Sequence, residues 1–515
     1  MTPETTPALV EAAAERWPGA EALVDGGVRL SFAALADAVS ESAGAAVAAG
    51  LRKGDRAAIW APNVWEWVVA ALGLQRAGAV LVPLNTRYKG DEAAYVLNRS
   101  GARMLFTVRG FLGTDYPALL ESHPTSVERV IVFDDPSWDE YLSAATSTEP
   151  PVVTPDDLSD LLFTAGTTGR PKGVMSTHSQ TVRNIRDWCS IVGLRPGDRY
   201  LVVSPFFHTF GYRAGIIAGL TAGATTIPLA VVDVAAVLEL VHRERVTTLP
   251  AVPTLFQSMF DYPDRHRYDL SSLRLSAVGA AAVPAELVER MRTELFSTVV
   301  TGYGLTESTG IATMSRPEDP PEVISRTVGR ALPSVEVRIV DPNNREVPRG
   351  TPGEIAIRGY NVMKGYFDAP EQTSEVIDSD GWLHTGDIGT MDDAGYVAVT
   401  DRLKDMYIVG GFNAYPAEIE AALVRHPDIA MAAVVGMPDR RLGEVGVAFV
   451  VPRSGTQPTE ESILSWARNE MANFKVPRRV ALVDALPMNA VGKVVKDDLR
   501  RQAAEAGRSQ GPSEL

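Results

Sequence analysis

Residues 164 to 174 read TAGTTGRPKGV, a run of hydroxyls and glycines that follows the apolar stretch LLF and ends in two cations. Glycine-rich loops hold phosphates because successive backbone N–H groups converge on an anion with no side chain in the way. Lys172 and the hydroxyls of Thr164, Thr167 and Thr168 extend such a cradle, and Gly166 and Gly169 leave room for it. A Walker loop needs Gly-Lys-Ser/Thr opening a helix, whereas here Pro171 precedes Lys172 and Gly173 follows it. This is a phosphate loop of another kind, and taken alone it serves equally as a solvated turn.

The rest of the chain limits what such a loop could serve. With 515 residues it is too long for one compact core, so two or more domains are expected. A hydrophobic fraction of 45% and a charged fraction of 22% are ordinary for globular proteins. The formal net charge of -15 disfavours a surface tuned to nucleic acid or to anionic membrane, so an anionic ligand needs locally placed cations. Cys189 is the single cysteine, which excludes an intrachain disulfide and a cysteine metal cluster and suits a reducing cytoplasm. The N-terminus carries acids early and has no basic stretch before an apolar run, so it reads as an amphipathic helix and not as a secretory signal. Residues 215 to 232 are uncharged, but Gly223, the following threonines and Pro228 predict helix, turn and strand there in place of a membrane span.

AGAVLVPL at 77 to 84 aligns without gaps with AGATTIPL at 222 to 229, each after an apolar helical stretch. The repeated helix, Ala-Gly turn and buried strand predict two related α/β subdomains. Further strands are expected at RAAIWAP, RMLFTV, RVIVF, TTLPAVP and LRLSAVG, with a helix over PAELVERMRTELF. From about Val335, shorter strands with turn signals (VEVRIVDPNN, GEIAIRGY, GYVAVTDR) predict a β-rich subdomain. After DRLKD the pattern restarts as a small α+β domain. The expected organisation is an α/β N-terminal domain over residues 1–403, a small mobile domain over 404–503 and a disordered tail over 504–515.

The stretches TAGTTGRPKGV, GYGLTES (302–308), LHTGDIG (383–389), DRLKDMYIVGGFNAYPAEIE (401–420) and NAVGKV (489–494) occur in that order. Together they resemble the adenylate-forming superfamily of acyl-CoA synthetases, luciferases and peptide-synthetase adenylation domains, over nearly the whole chain. PFFHTFGYRAGI, GGFNAYPAEIE and RLGEVG are most similar to actinobacterial ligases of fatty or steroid-derived acids. The resemblance implies a carboxylic acid joined to ATP as an acyl-adenylate with loss of pyrophosphate, then replacement of AMP by the thiol of CoA. It implies ATP/AMP, Mg²⁺ and coenzyme A as cofactors and a bulky alicyclic (steroid or terpenoid) or medium- to long-chain fatty acid as substrate. No nucleic acid and no membrane span are expected, and a homodimer is left open.

A carboxylate attacking an α-phosphate must be relieved of charge in the transition state. Lys493 matches the family's late lysine that does so. Glu307 matches the carboxylate that helps hold Mg²⁺, with Thr306 beside it, and a hard oxygen suits that ion. Asp387 matches the acceptor of both ribose hydroxyls, Arg402 a second ribose or phosphate contact, and Tyr303, next to Gly304, an aromatic face for adenine. Gly279 and Ala280 match the small residues bordering adenine and acyl group, where backbone comes close to the ligand. His208 matches the acyl-pocket entrance, with lining or proton transfer as its work. Lys404 matches the hinge about which the small domain rotates between half-reactions. Gly410 and Gly411, with Asn413, match the wall of the pantetheine tunnel, and Phe474 and Lys475 meet the CoA nucleotide.

The chain departs from the family at Ala165, where serine or threonine is usual. One hydroxyl donor to the phosphates is thereby lost, which raises a transfer-only enzyme as an alternative. A catalytically silent acyl-nucleotide binder is the other, although a scaffold has no need of Lys493, Glu307 and Asp387. A peptide-synthetase module is disfavoured, since no carrier segment follows the small domain.

Overall fold

The structure, a computed structural model, describes residues 2–146, 149–164, 171–279, 283–402, 405–409, 412–439, 442–471, 473–489 and 493–509. Contacts divide the chain into two compact units, one of residues 1–337 with 357–383 and the other of 338–356 with 384–515.

The first unit is built on two related α/β layers. One is a seven-stranded sheet in the order Gly365–Tyr366, Lys172–Thr177, Leu158–Thr164, Val80–Pro83, Arg56–Trp60, Ala102–Thr107, Arg129–Val132. The last five pair in parallel, as crossover helices allow, whereas Leu158–Thr164, Lys172–Thr177 and Gly365–Tyr366 pair antiparallel at one edge. The other layer holds Val28–Ser31, Glu21–Asp25, Thr225–Pro228 and Arg199–Val202, carried on through single bridges at Thr248 to Leu275–Val278 and Thr298–Tyr303. The repeated motif places one copy in each layer: Gly78 at φ 77° precedes the strand Val80–Pro83, and Gly223 at φ 70° precedes Thr225–Pro228. Only glycine takes such a left-handed turn without strain.

TTLPAVP forms no continuous strand. Leu249 and Ala251 donate to Leu275 and Ala277, but Pro250 and Pro253 have no N–H to give, so only isolated bridges survive. The uncharged stretch from 215 folds as helix, turn and strand, and among the described residues no helix is long and apolar enough to cross a membrane.

The strands Val335–Val340, Gly353–Gly359, Leu383–Met391 and Val397–Arg402 line up as one sheet. A five-stranded sheet follows, led by the long hairpin Ile429–Asp439 and Gly443–Pro452. The expected disordered tail from 504 is corrected in its first part, because the last helix runs Lys496–Ser509. Leu499 and Ala503, one turn apart, are buried with Val435 and Phe449, and that contact carries the helix past the expected boundary.

Two buried polar groups tie the phosphate-loop strands to the core. Asp160, on Leu158–Thr164, pairs with Arg213 at 2.5 Å, and both are about fully buried at 0% and 1% exposure. His178, at the start of the helix after Lys172–Thr177, accepts from the Thr6 backbone N–H through Nδ1 at 3.3 Å. Burial pushes its imidazole down to about 4, so it is neutral when folded. The unfolded chain takes up this proton near pH 6.5 and the folded one only near 4. Stability from this group is therefore complete above about pH 6.5 and lost as pH falls towards 4, by about 3 kcal/mol. Glu66, raised to about 7 mainly by burial, slopes the other way, so the comparison must be between variants. Between pH 7 and 4.5, His178→Gln is expected to lose less unfolding stability than wild type; equal losses in denaturant titrations would refute the assignment.

Candidate active site

In the first unit, the strand Leu158–Thr164 ends where the glycine loop begins, and Lys172–Thr177 starts where it ends. Thr164 and Lys172 face each other in the antiparallel register. Ala165, Gly166, Thr167, Thr168 and Gly169 lie outside the described residues, but their two anchors do not. Gly173 keeps this pairing close, since a Cβ there would sit 3.0 Å from the Phe163 ring, which would have to give way.

Glu307 reaches this edge from far along the chain. Tyr303 ends the strand Thr298–Tyr303, and at Gly304 a Cβ would lie 2.4 Å from the Gly310 carbonyl oxygen, so only glycine lets the loop fold back. Thr306 to Ser308 then form one 3-10 turn. Its exit through Thr309 at φ 60° is held by the Thr309 hydroxyl donating to the Asn361 carbonyl at 2.7 Å. The Glu307 carbonyl accepts from the Met363 N–H at 2.8 Å. Its carboxylate Oε1 accepts from the Tyr366 phenol at 2.9 Å and, at 3.5 Å, from the Thr164 hydroxyl. Burial and the neighbouring carboxylate push the Tyr366 phenol well above its ordinary range, so it is a donor at any working pH. The Lys172 ammonium lies 4.8 Å from the Tyr366 ring centroid, a cation–π distance. Thr164, Lys172 and Glu307 are thus brought together as the motifs imply. Tyr366 is the member that sequence reasoning missed; its KGYF context carries no signal of partnership with a residue 59 positions away.

His208 uses Nδ1 to accept from the Phe210 N–H at 3.2 Å, capping the short turn Thr209–Gly211. The next residues, Tyr212–Ile217, form a buried π-helix, a form that often marks functional sites. Among the described residues Gly279 has nothing within 4 Å of an added Cβ; Ala280 lies outside the described residues.

In the second unit Asp387 is buried on Leu383–Met391 and pairs in register with Arg402, whose side chain is outside the description. The preceding turn is gripped by Glu354, which sequence reasoning also missed. Its Oε1 accepts from the Gly386 N–H at 2.9 Å and its Oε2 meets His384 Nδ1 at 2.9 Å. Thr385 donates to the Ile355 carbonyl at 2.7 Å and accepts from the Asp387 N–H at 3.1 Å. Lys493 is exposed, its N–H meets Asn489 Oδ1 at 2.9 Å and its carbonyl accepts from the Asn489 N–H at 2.8 Å. Phe474 packs on the core of this unit and Lys475 pairs with Glu418. Lys404, Gly410 and Gly411 lie outside the described residues.

Comparison with known proteins decides what this arrangement belongs to. The profile of the AMP-binding enzymes matches residues 10–367, and that of the AMP-binding enzyme C-terminal domain matches 418–493. The chain belongs to the AMP-binding enzyme family. It is an AMP-forming acyl-CoA synthetase. It is 49% identical, over 97% of its length and 99% of the relative's, to the 3-[(3aS,4S,7aS)-7a-methyl-1,5-dioxo-octahydro-1H-inden-4-yl]propanoyl:CoA ligase of Rhodococcus jostii. With the Mycobacterium tuberculosis protein of the same name it shares 48% over 96% of this chain and 98% of that one. Among solved structures it is similar to ATP-bound MatB of Rhodopseudomonas palustris, with TM-score 0.88, 30% identity and coverage of 98% and 99%.

In this synthetase, Glu354→Ala is expected to loosen the turn that carries Asp387. A charge-assisted hydrogen bond is worth about 1.5 to 3 kcal/mol. Calorimetric titration should therefore show AMP and ATP weakened alike, by about tenfold or more. Unchanged affinities in a folded variant would remove this turn from nucleotide binding.

Proposed function

We propose that this synthetase activates a bulky alicyclic carboxylic acid, of the bicyclic propanoate kind, and transfers it to coenzyme A. The observation that carries this reading is near-full-length similarity, at 49% and 48% identity, to two actinobacterial ligases named for such an acid. In the first half-reaction a carboxylate oxygen of the acid attacks the α-phosphorus of ATP and pyrophosphate leaves. In the second the CoA thiol attacks the acyl carbonyl, losing its proton, and AMP leaves.

The residue roles are those that the motifs imply. Thr164 and Lys172 bind the phosphates together with the loop they flank. Asp387 and Arg402 hold the ribose, and Tyr303, Gly304, Gly279 and Ala280 border adenine. His208 lines the acid's entrance. Gly410, Gly411 and Phe474 serve CoA, and Lys404 acts as the hinge. Lys493 neutralises charge that develops during attack on the α-phosphorus.

Magnesium fits the first unit. Glu307 offers one hard carboxylate beside the Thr164 hydroxyl, and among the described residues no group of three or more His, Cys, Asp or Glu forms a cage made by protein alone. That is the donor set of an ion shared with substrate phosphates. Glu307 and Thr306 would hold it, and when bound it supplies charge neutralisation to the triphosphate. A reducing cytoplasm suits the lone, buried Cys189.

The test is a panel of acids assayed for pyrophosphate release and for CoA thioester. The methyl-dioxo-octahydroindenyl propanoic acid should exceed unbranched fatty acids in kcat/KM by about tenfold or more, the scale of a few pocket contacts. Faster turnover of the unbranched acids would overturn the assignment. With the preferred acid, Lys493→Ala should lower adenylate formation about a hundredfold or more while transfer from supplied acyl-adenylate persists. An equal fall in both half-reactions would refute the role given to Lys493.

A further inference from the structure

Glu307 and Lys172 carry opposite charges at one edge of the seven-stranded sheet, yet among the described residues they do not pair with each other. The group that meets both is Tyr366. Its hydroxyl donates to Glu307 Oε1 at 2.9 Å, and its ring lies 4.8 Å from the Lys172 ammonium. Left to direct contact, the two charges would satisfy one another and both would be lost to an incoming ligand.

The phenol is set there by backbone. Gly365 and Tyr366 pair antiparallel with Met175 and Val174, the Lys364 N–H donates to the Met175 carbonyl at 3.0 Å, and the Phe367 N–H to Gly173 at 2.7 Å. The Tyr366 N–H is taken by the Thr373 hydroxyl at 2.9 Å. The ring is 7% exposed, packed with Val174 and Met363. The same short segment holds the Glu307 backbone, through the Met363 N–H on its carbonyl at 2.8 Å. Carboxylate, phenol and ammonium therefore sit on one stitched framework, and the Tyr366 hydroxyl is the one atom of the ring that touches Glu307 in a hydrogen bond.

The geometry points to Tyr366 as a positioning residue for the metal–nucleotide site, with two tasks. It fixes one oxygen of the Glu307 carboxylate, leaving the other free for a divalent cation, and it keeps the Lys172 ammonium from collapsing onto that carboxylate. Hydrogen bonds that orient a metal-binding carboxylate govern affinity for the ion about as strongly as some ligands do. This inference rests on the reading of Glu307 as the magnesium carboxylate.

Tyr366→Phe removes one oxygen and keeps the ring, so packing and the strand pairing remain. Binding of ATP to the full chain, followed calorimetrically at stepped Mg²⁺ concentrations without acid or CoA, reads the site independently of turnover. The variant should raise the Mg²⁺ concentration for half-maximal ATP binding by about tenfold, the lower end of such effects. Its affinity for AMP, measured without Mg²⁺, should stay within about twofold. In a Lys172→Met background, where no ammonium competes for the carboxylate, the same substitution should raise the Mg²⁺ requirement much less. Glu307→Gln is the control for the parent reading. If it raises the requirement and Tyr366→Phe does not, Tyr366 has no such task and Glu307 keeps its own. If Glu307→Gln leaves the requirement unchanged, the magnesium reading falls and this inference with it. If AMP and ATP weaken in step in Tyr366→Phe, the role is merely structural and the inference is overturned.

Discussion

The antiparallel register of Thr164 with Lys172 is the constraint on which the chemistry proposed for the first unit depends. A segment proposed to converge on phosphates gains from having its ends already fixed, because ordering them at the moment of binding would cost affinity. Backbone hydrogen bonds fix them here, at the edge of a sheet whose remaining strands run parallel. Beneath the hairpin, Asp160 and Arg213 form a fully buried ion pair that bridges the strand to the π-helix after His208. Removing one partner of such a pair costs about 3 to 5 kcal/mol, whereas the intact pair adds little net stability, so its contribution is one of fixed arrangement. The strand Leu158–Thr164 and the π-helix Tyr212–Ile217 are thereby held to one another.

The charge economy of the chain follows the same logic. At a net charge of -15 the surface repels polyanions, and the first unit answers with Lys172 placed by the ladder instead of with a basic patch. Acids, which are plentiful, are used as internal fasteners. Glu354 takes two donors from the turn before Asp387, and Asp160 takes Arg213. Glu307 accepts from a neutral phenol, which in the proposed reading leaves its charge for a ligand. A neutral donor orients a carboxylate without cancelling its charge, and that difference separates a binding group from a structural salt bridge.

Much of this was legible in the sequence, for physical reasons that act locally. The two Ala-Gly turns announce themselves because a left-handed residue between helix and strand calls for glycine, and both are found at positive φ. The glycine loop, the Thr-Glu turn and the Gly-Asp turn are short segments whose chemistry lies in adjacent residues. Local reading failed where distant contacts decide. TTLPAVP has strand composition, yet its prolines leave it with isolated bridges to its neighbours. The last helix outruns its polar composition because Leu499 and Ala503 find a sheet to pack on.

The sequence by itself therefore determined the fold class and the family, and it named the groups proposed to meet nucleotide. What only the tertiary structure decided is which groups stand behind them. Tyr366 lies 59 positions from Glu307, Thr164 lies 143 from it, and Glu354 lies 30 from His384. A hydrogen bond between residues so far apart leaves no periodicity or spacing to read. It exists only once sheet registers bring the partners within about 3 Å, and those registers are set by the burial of the whole core.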